Sequence, residues 1–435
     1  MLYSLCDLNK GVALLNEKMN RSYYPFINIL LRCLILGSKF ILLISIAVFF
    51  DPADVAIYGL IIATISYGVY AFGFDFYTFS SREFISTERS RWPTFIASQV
   101  TLHVLAYGAI IPLSLFIFYY GLIDREYLFY FYTLLFLEHI GQEAYRFMVA
   151  ASQQVFASIL LFFRSAFWIY VYIICCYIDP DIRSLEHLLV FWIFAAAFSL
   201  ALAVLKMNSM SLLQFKSGID WLWVSRGLKV AFPFLIGTLA ARATLTLDKF
   251  FLKIHVGEEQ LAAYVFFSGI CYALISFLDA GVFSFSYPKM ISFFSDGDNK
   301  AFKKSIIDMS YRVIFMSLFF FVVSSLLLGP LLDLIGKDVY MKNIYLYYYL
   351  VAVFIIYAVS HIPHYVLYAK RDDRGIIYSH IFCFFMFIFS VFVGVLFDFD
   401  NVIPISLLLS FASMFFYKIH RACSFNGLIT KEIVC

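Results

Sequence analysis

Five basic residues interrupt long apolar stretches of this chain: Arg32, Lys39, Arg164, Arg242 and Lys249. On an insertion scale, a cation at the centre of a bilayer costs roughly 2.5–3.5 kcal/mol. Each therefore needs a physical reason to be there. Guanidinium and ammonium groups match phosphate oxygens in charge and donor geometry. Stacked along a wet cavity, they would suit an anionic, phosphate-bearing substrate. The competing reading is snorkelling near span ends, or pairing with acids. The acids available are Asp75, Glu138, Glu143, Asp248 and Asp279. Glu143 and Arg146 stand three apart on one helix and can pair locally. Asp248 can neutralise a cation of the opposite half, and intramembrane carboxylates can also carry coupling ions.

Other candidates carry less. His361 and His364 flank Pro363 at a spacing that can ligate a metal, but no third ligand is near in sequence, so they read as packing. Asp51-Pro52-Ala53-Asp54 reads as an acidic turn, in a loop too short to hold an acceptor for an enzyme. The eight cysteines show no metal-ligand spacing and read as small hydrophobes. No cofactor, metal or catalytic group is expected.

The stretches that carry these residues define the class. The chain has 435 residues, of which 63% are hydrophobic and 14% charged, with mean hydropathy +0.86. A soluble domain has about 45–50% apolar and about 25% charged residues. A soluble enzyme, a nucleic-acid-binding domain and a disordered chain are excluded. What remains is an all-α polytopic membrane protein. Apolar runs of spanning length lie near 26–50, 55–79, 94–120, 127–148, 154–178, 186–205, 230–252, 259–287, 311–332, 343–367, 376–397 and 402–419, twelve in all. The run at 259–287 is long enough to tilt or bend.

With both termini on one side, 22 basic residues fall on that side and 5 on the other. Positive residues mark the cytoplasmic side, so both termini are expected in the cytoplasm. The chain divides into an N-terminal segment (1–25), a six-helix half (26–206), a linker (207–229), a second six-helix half (230–419) and a tail (420–435). Residues 1–18 carry no feature of the fold, and Met19-Asn20-Arg21 reads as a basic lead into the first span. Translation from Met19, or a dispensable 1–18, is expected.

The halves repeat each other. Arg32, Lys39-Phe40 and Leu42 recur as Arg242, Lys249-Phe250 and Leu252, 210 positions later. Pro25-Phe26 recurs as Pro233-Phe234 at an offset of 208. Ala56-Ile57-Tyr58 recurs as Ala262-Ala263-Tyr264 at 206, and at that offset Gly73 and Asp75 face Asp279 and Gly281. An even number of spans per half makes the repeat parallel, with an axis along the membrane normal and a site between the halves. Seven residues make nearly two turns and about 10 Å of rise, so Arg32 and Lys39 share a face at two depths, as do Arg242 and Lys249. If the two helices face each other, the four cations form two tiers.

Twelve spans, inside termini and a half-length repeat resemble the multidrug/oligosaccharidyl-lipid/polysaccharide exporter superfamily. The local strings resemble its polysaccharide branch, the O-antigen flippases. The carrying segments are Asp54 to Tyr58, Gly73-Phe74-Asp75 with Arg82, Pro233-Phe234, Asp248-Lys249-Phe250-Phe251-Leu252, Gly257, Ala262-Ala263-Tyr264 and Tyr287-Pro288. The resemblance implies translocation of an undecaprenyl-diphosphate-linked oligosaccharide across the bacterial inner membrane by alternating access. It implies no enzymatic activity. The partners it implies are the lipid-linked substrate, membrane lipids and other polysaccharide-assembly proteins. Arg32, Lys39 and Arg242 match approximately the basic positions important in related flippases. The alternatives are a multidrug-type exporter of the same fold, which needs an acidic cavity, and a membrane polymerase or glycosyltransferase of the same pathway, which needs a large external loop.

Overall fold

The computed structural model describes residues 30–213 and 218–424, so the expected start at Met19 lies outside the described residues. Regular structure among the described residues is helical throughout. In chain order the α-helices are α1 (Leu30–Phe49), α2 (Pro52–Gly73), α3 (Tyr77–Ser86), α4 (Trp92–Ser114), α5 (Phe116–Tyr119), α6 (Leu128–Ala150), α7 (Gln154–Phe162), α8 (Trp168–Ile178) and α9 (Leu185–Ser209). The second half holds α10 (Trp221–Val256), α11 (Glu258–Leu278), α12 (Ser284–Ser295), α13 (Asn299–Ile335), α14 (Asp338–Lys342), α15 (Tyr345–Ala369), α16 (Asp373–Leu396) and α17 (Val402–Ser424).

Eleven continuous helical stretches among the described residues are long and apolar enough to cross a membrane. The twelfth span is α6. Its polar run from Glu138 to Glu143 lowers its hydropathy, but it is 23 residues long and packs against α2 and α9. Each of the twelve apolar runs read from the sequence is mainly helical over its described residues. Two helices run further than their apolar runs. α10 begins at Trp221 and has 36 residues, and α13 begins at Asn299 and has 37. Both starts are capped, by Asp220 and Asp298 respectively; polar Asn299, Lys300, Lys303 and Lys304 open α13, and Ser225, Arg226 and Lys229 interrupt the start of α10, so hydropathy alone did not mark them. At 1.5 Å per residue α10 spans about 54 Å, well beyond the roughly 30 Å of a hydrocarbon core. Much of the expected 207–229 linker is therefore rigid helix.

We call inner the end of the bundle that holds the basic connections, including residues 87–91 and 370–372, and outer the opposite end. In the first half α6 packs on α2 and on α9, and α9 packs on the α7–α8 rod. In the second half α10, α11, α15, α17 and α16 pack in that circular order, with α13 outside against α15. The halves meet where α2 packs on α11 and α10. Gly59 of α2 lies against Val265 of α11, and those two positions are related by the 206-residue repeat. An added Cβ on Gly59 would fall 2.2 Å from a Val265 methyl, so glycine sets the closeness of this crossing. The repeat axis thus passes between them, as a parallel repeat requires.

The outer end is closed. Phe50, Tyr58, Phe266 and Tyr340 share one buried cluster across both halves. Lys337, between α13 and α14, donates to the Phe50 carbonyl. Burial holds the Lys337 ammonium below its ordinary range, and the nearby Asp51 carboxylate partly offsets that. At the inner end α10 leans on the first half: Trp223 stacks on Phe95 at 4.6 Å, and Gly227 lies against Phe76 and Phe79.

Both repeat-related breaks occur at the same level. α2 ends at Gly73, and Phe74 and Asp75 adopt left-handed backbone with φ of 52° and 49°. At the equivalent place, Asp279–Phe283 form a single π-helical turn between α11 and α12. The long run at 259–287 therefore carries a π-helical turn at Asp279, one extra residue in that turn.

Candidate functional site

α2 and α11 are mostly buried, so their exposed stripes face the space between the halves. On α2 that stripe is Ile62 and Ser66 with Tyr70 beside them, spaced four apart on one helical face. On α11 it is Tyr272 and Phe277, continuing into Asp279, Ala280 and Gly281. Both stripes lie in the inner part of the helices. The cleft between the halves therefore opens inward.

Arg242 stands on the wall of this cleft. Its guanidinium lies 3.7 Å over the Tyr70 ring, and Nη1 donates to Ser66 Oγ at 2.9 Å. Its charge also reaches Tyr272 and Tyr357. Among the described residues, no carboxylate lies within ion-pair distance of Arg242. A cation held by a hydroxyl and an aromatic face keeps its charge available.

Beneath the α2 break lies a polar network that joins five helices. Glu143 and Arg146 pair at 2.5 Å, as their spacing implied, and Gln99 donates to Glu143 at 2.8 Å. The Arg146 guanidinium lies 3.5 Å over Tyr77 and 5.3 Å from Tyr70, so Tyr70 sits between two guanidinium groups. Asp75 is buried beside Thr238 of α10, with its Oδ1 unpartnered, and faces the charges of Arg146, Arg242 and Glu143. Tyr107 bonds His139 Nδ1 at 2.8 Å, with His103 packed edge-on at 4.6 Å.

Arg164 is held inside the first half. It is 4% exposed, 3.5 Å from Glu138 Oε2 and 2.6 Å from Gln142 Oε1. Trp192 donates to the other Glu138 oxygen at 2.8 Å. A π-helical turn at Phe163–Phe167 aims Arg164 inward, and Gly141 makes room: a Cβ there would fall 3.0 Å from Nη1. Lys39 is exposed in the same half, where the charges facing it are Glu138 and Arg164.

The two-tier arrangement is not what the side chains adopt. Lys249 turns into its own half, 3.2 Å from Asp248 and bonded to the Leu245 carbonyl at 2.9 Å. Asp248 was expected to neutralise a cation of the opposite half. It instead pairs with the residue beside it and accepts the Tyr264 hydroxyl at 2.5 Å. The reason is local: Asp248, 1% exposed, is fixed by the α10–α11 hairpin. At the repeat-related position of the first half stands Ser38, so Lys39 has no adjacent acid. Arg32 is exposed near the inner end of α1. Of the five cations, Arg242 is the one seen bridging the halves.

Sequence reasoning missed Ser66, Tyr70, Gln142 and Thr238, neutral residues whose role comes from neighbours on other helices. His361 packs on Phe283 and Tyr357 and bonds the Tyr357 carbonyl at 2.8 Å, in line with the packing reading. Among the described residues no group of three or more His, Cys, Asp or Glu has metal-binding geometry.

No family model and no curated protein matches the sequence. Solved structures do. An inward-facing multidrug resistance MATE family transporter of the MOP superfamily matches with a TM-score of 0.70 at 11% identity, over 92% of this chain and 99% of that one. An outward-facing one matches at 0.57 and 12% identity, over 92% and 94%. A point mutant of the Vibrio cholerae MATE transporter VcmN matches at 0.57 and 12%, over 94% and 98%. The chain has the fold of these transporters.

Proposed function

We propose that this protein is an alternating-access exporter that carries an undecaprenyl-diphosphate-linked oligosaccharide from the cytoplasmic to the outer leaflet of a bacterial inner membrane. The observation that carries the reading is Arg242: an intramembrane guanidinium on the wall of the inward-opening cleft, held by Tyr70 and Ser66 rather than by a carboxylate. Desolvating a diphosphate is the costly step of the passage, and such a group offsets that cost. The sugars would travel in the wet cleft while the lipid tail stays in the bilayer. The basic inner loops support cytoplasmic termini, and the inward-open cleft then faces the leaflet where the substrate is made.

The multidrug reading of the same fold has one observation in its favour. Asp279 is exposed at the inner end of the cleft and would suit a cationic cargo. Reconstituted vesicles separate the two. With a fluorescent lipid-diphosphate oligosaccharide, Arg242→Lys should keep partial transport, Arg242→Ala should lose at least tenfold, and Arg242→Glu should be worst. Asp279→Asn should have little effect. Full transport by Arg242→Glu at normal protein level, or loss only with Asp279→Asn, refutes the proposal.

A further inference from the structure

The second half holds a cluster of basic side chains that the Arg242 wall does not include. His361 and His364 project from one face of α15, three residues apart. His380 comes from α16 and Lys418 from α17. The His361 and His364 rings lie 5.9 Å apart, and His364 and His380 stack at 5.9 Å with an interplanar angle of 8°. Lys418 is 2% exposed, and its charge reaches all three rings. Counted from the outer helix ends, these residues lie about 24–29 Å deep at 1.5 Å per residue. The three imidazoles are partly exposed, while Lys418 is buried beside them.

The charges do not balance. In the first half, Arg164 is met by Glu138. Here, among the described residues, no carboxylate lies within ion-pair distance of Lys418 or of the three rings. The neutral Cys383 thiol is the neighbour of Lys418. Asp279 faces Tyr357 and Tyr365 at the margin. A buried lysine without an acid is costly, and intramembrane charges that persist mark ligand paths. Among the described residues, no group of three or more His, Cys, Asp or Glu here has metal-binding geometry. Lysine has three donors; the His361 Nδ1–H is already given to the Tyr357 carbonyl, which leaves its Nε2, and the His364 and His380 rings add theirs. Donors converging from three helices fit a tetrahedral oxyanion better than a spherical ion.

We propose that His361, His364, His380 and Lys418 form a second anion site, one that binds a phosphoryl group. It stands independently of Arg242. The group's source is either the head of a lipid diphosphate or free phosphate.

The test uses the purified full chain in micelles, with farnesyl diphosphate, inorganic pyrophosphate and farnesol as probes and dissociation constants read by thermophoresis. Lys418→Met keeps the chain length without the charge. It should weaken both phosphorylated probes at least tenfold at this site, leave farnesol unchanged, and leave the melting temperature without probe no lower than wild type. The double variant His364→Asn/His380→Asn gives the same readout if Lys418→Met fails to fold. Arg242→Ala should spare this site. Tighter binding of farnesyl diphosphate than of pyrophosphate assigns the lipid head group, and equal binding assigns free phosphate. Wild-type affinity for both phosphorylated probes in Lys418→Met, or in the double variant, overturns the proposal.

Discussion

Gly59→Ala is the sharpest test of the inward-open architecture. The new Cβ would lie 2.2 and 2.7 Å from the two Val265 methyls and 3.1 Å from its Cβ. Rotating Val265 cannot relieve this, since both branches and the stem face the glycine. Ordinary contact begins near 3.4 Å, so the helices must part by about 1 Å or more. Overpacking of this kind costs typically ~1–3 kcal/mol. The crossing lies in the closed outer part of the cleft, which separates when the outer end opens. The cost therefore falls on the inward-open state alone. About 2 kcal/mol shifts the ratio of states by about thirtyfold. The assay is alkylation of Ser66→Cys by an impermeant maleimide added from the inner side, with the native cysteines replaced by alanine. From near-equal populations of the two states, Gly59→Ala should slow labelling tenfold or more, and adding Val265→Gly should restore it. Unchanged labelling in Gly59→Ala, or no rescue by Val265→Gly, would refute the reasoning.

Two further substitutions test the buried charges. Arg164→Met leaves Glu138 facing the interior of the first half without its guanidinium; breaking such a pair costs ~3–5 kcal/mol, so the melting temperature should fall sharply, and adding Glu138→Met should recover much of it. Tyr264→Phe removes a hydroxyl donated to the buried Asp248 carboxylate and should destabilise by ~1.5–3 kcal/mol, with little change in Ser66→Cys labelling; a stability equal to wild type would show that the hairpin does not depend on that bond.

The sequence by itself determined the class, the number of spans and the parallel repeat. Hydropathy marks every residue that lipid must solvate, and a bilayer permits only helices or closed barrels. The recurrence of Arg32/Lys39 as Arg242/Lys249 located the helices that begin each half, and the Gly73/Asp279 correspondence located the level at which both halves break. The pairing of Glu143 with Arg146 was legible because both lie on one helix. Tertiary structure decided the rest. Whether a cation faces a cleft or an acid depends on helix rotation and on neighbours distant in sequence, and hydropathy is blind to both. Lys39 and Lys249 are equivalent in the repeat, yet Asp248 captures one, while Ser38 leaves the other without an adjacent acid. Arg242 became the bridging cation because α2 presents Ser66 and Tyr70 to it. Lys418 counted as a residue at an inner helix end, but α15 and α16 bring three imidazoles to its side and α17 buries its stem, an arrangement set by residues distant in sequence.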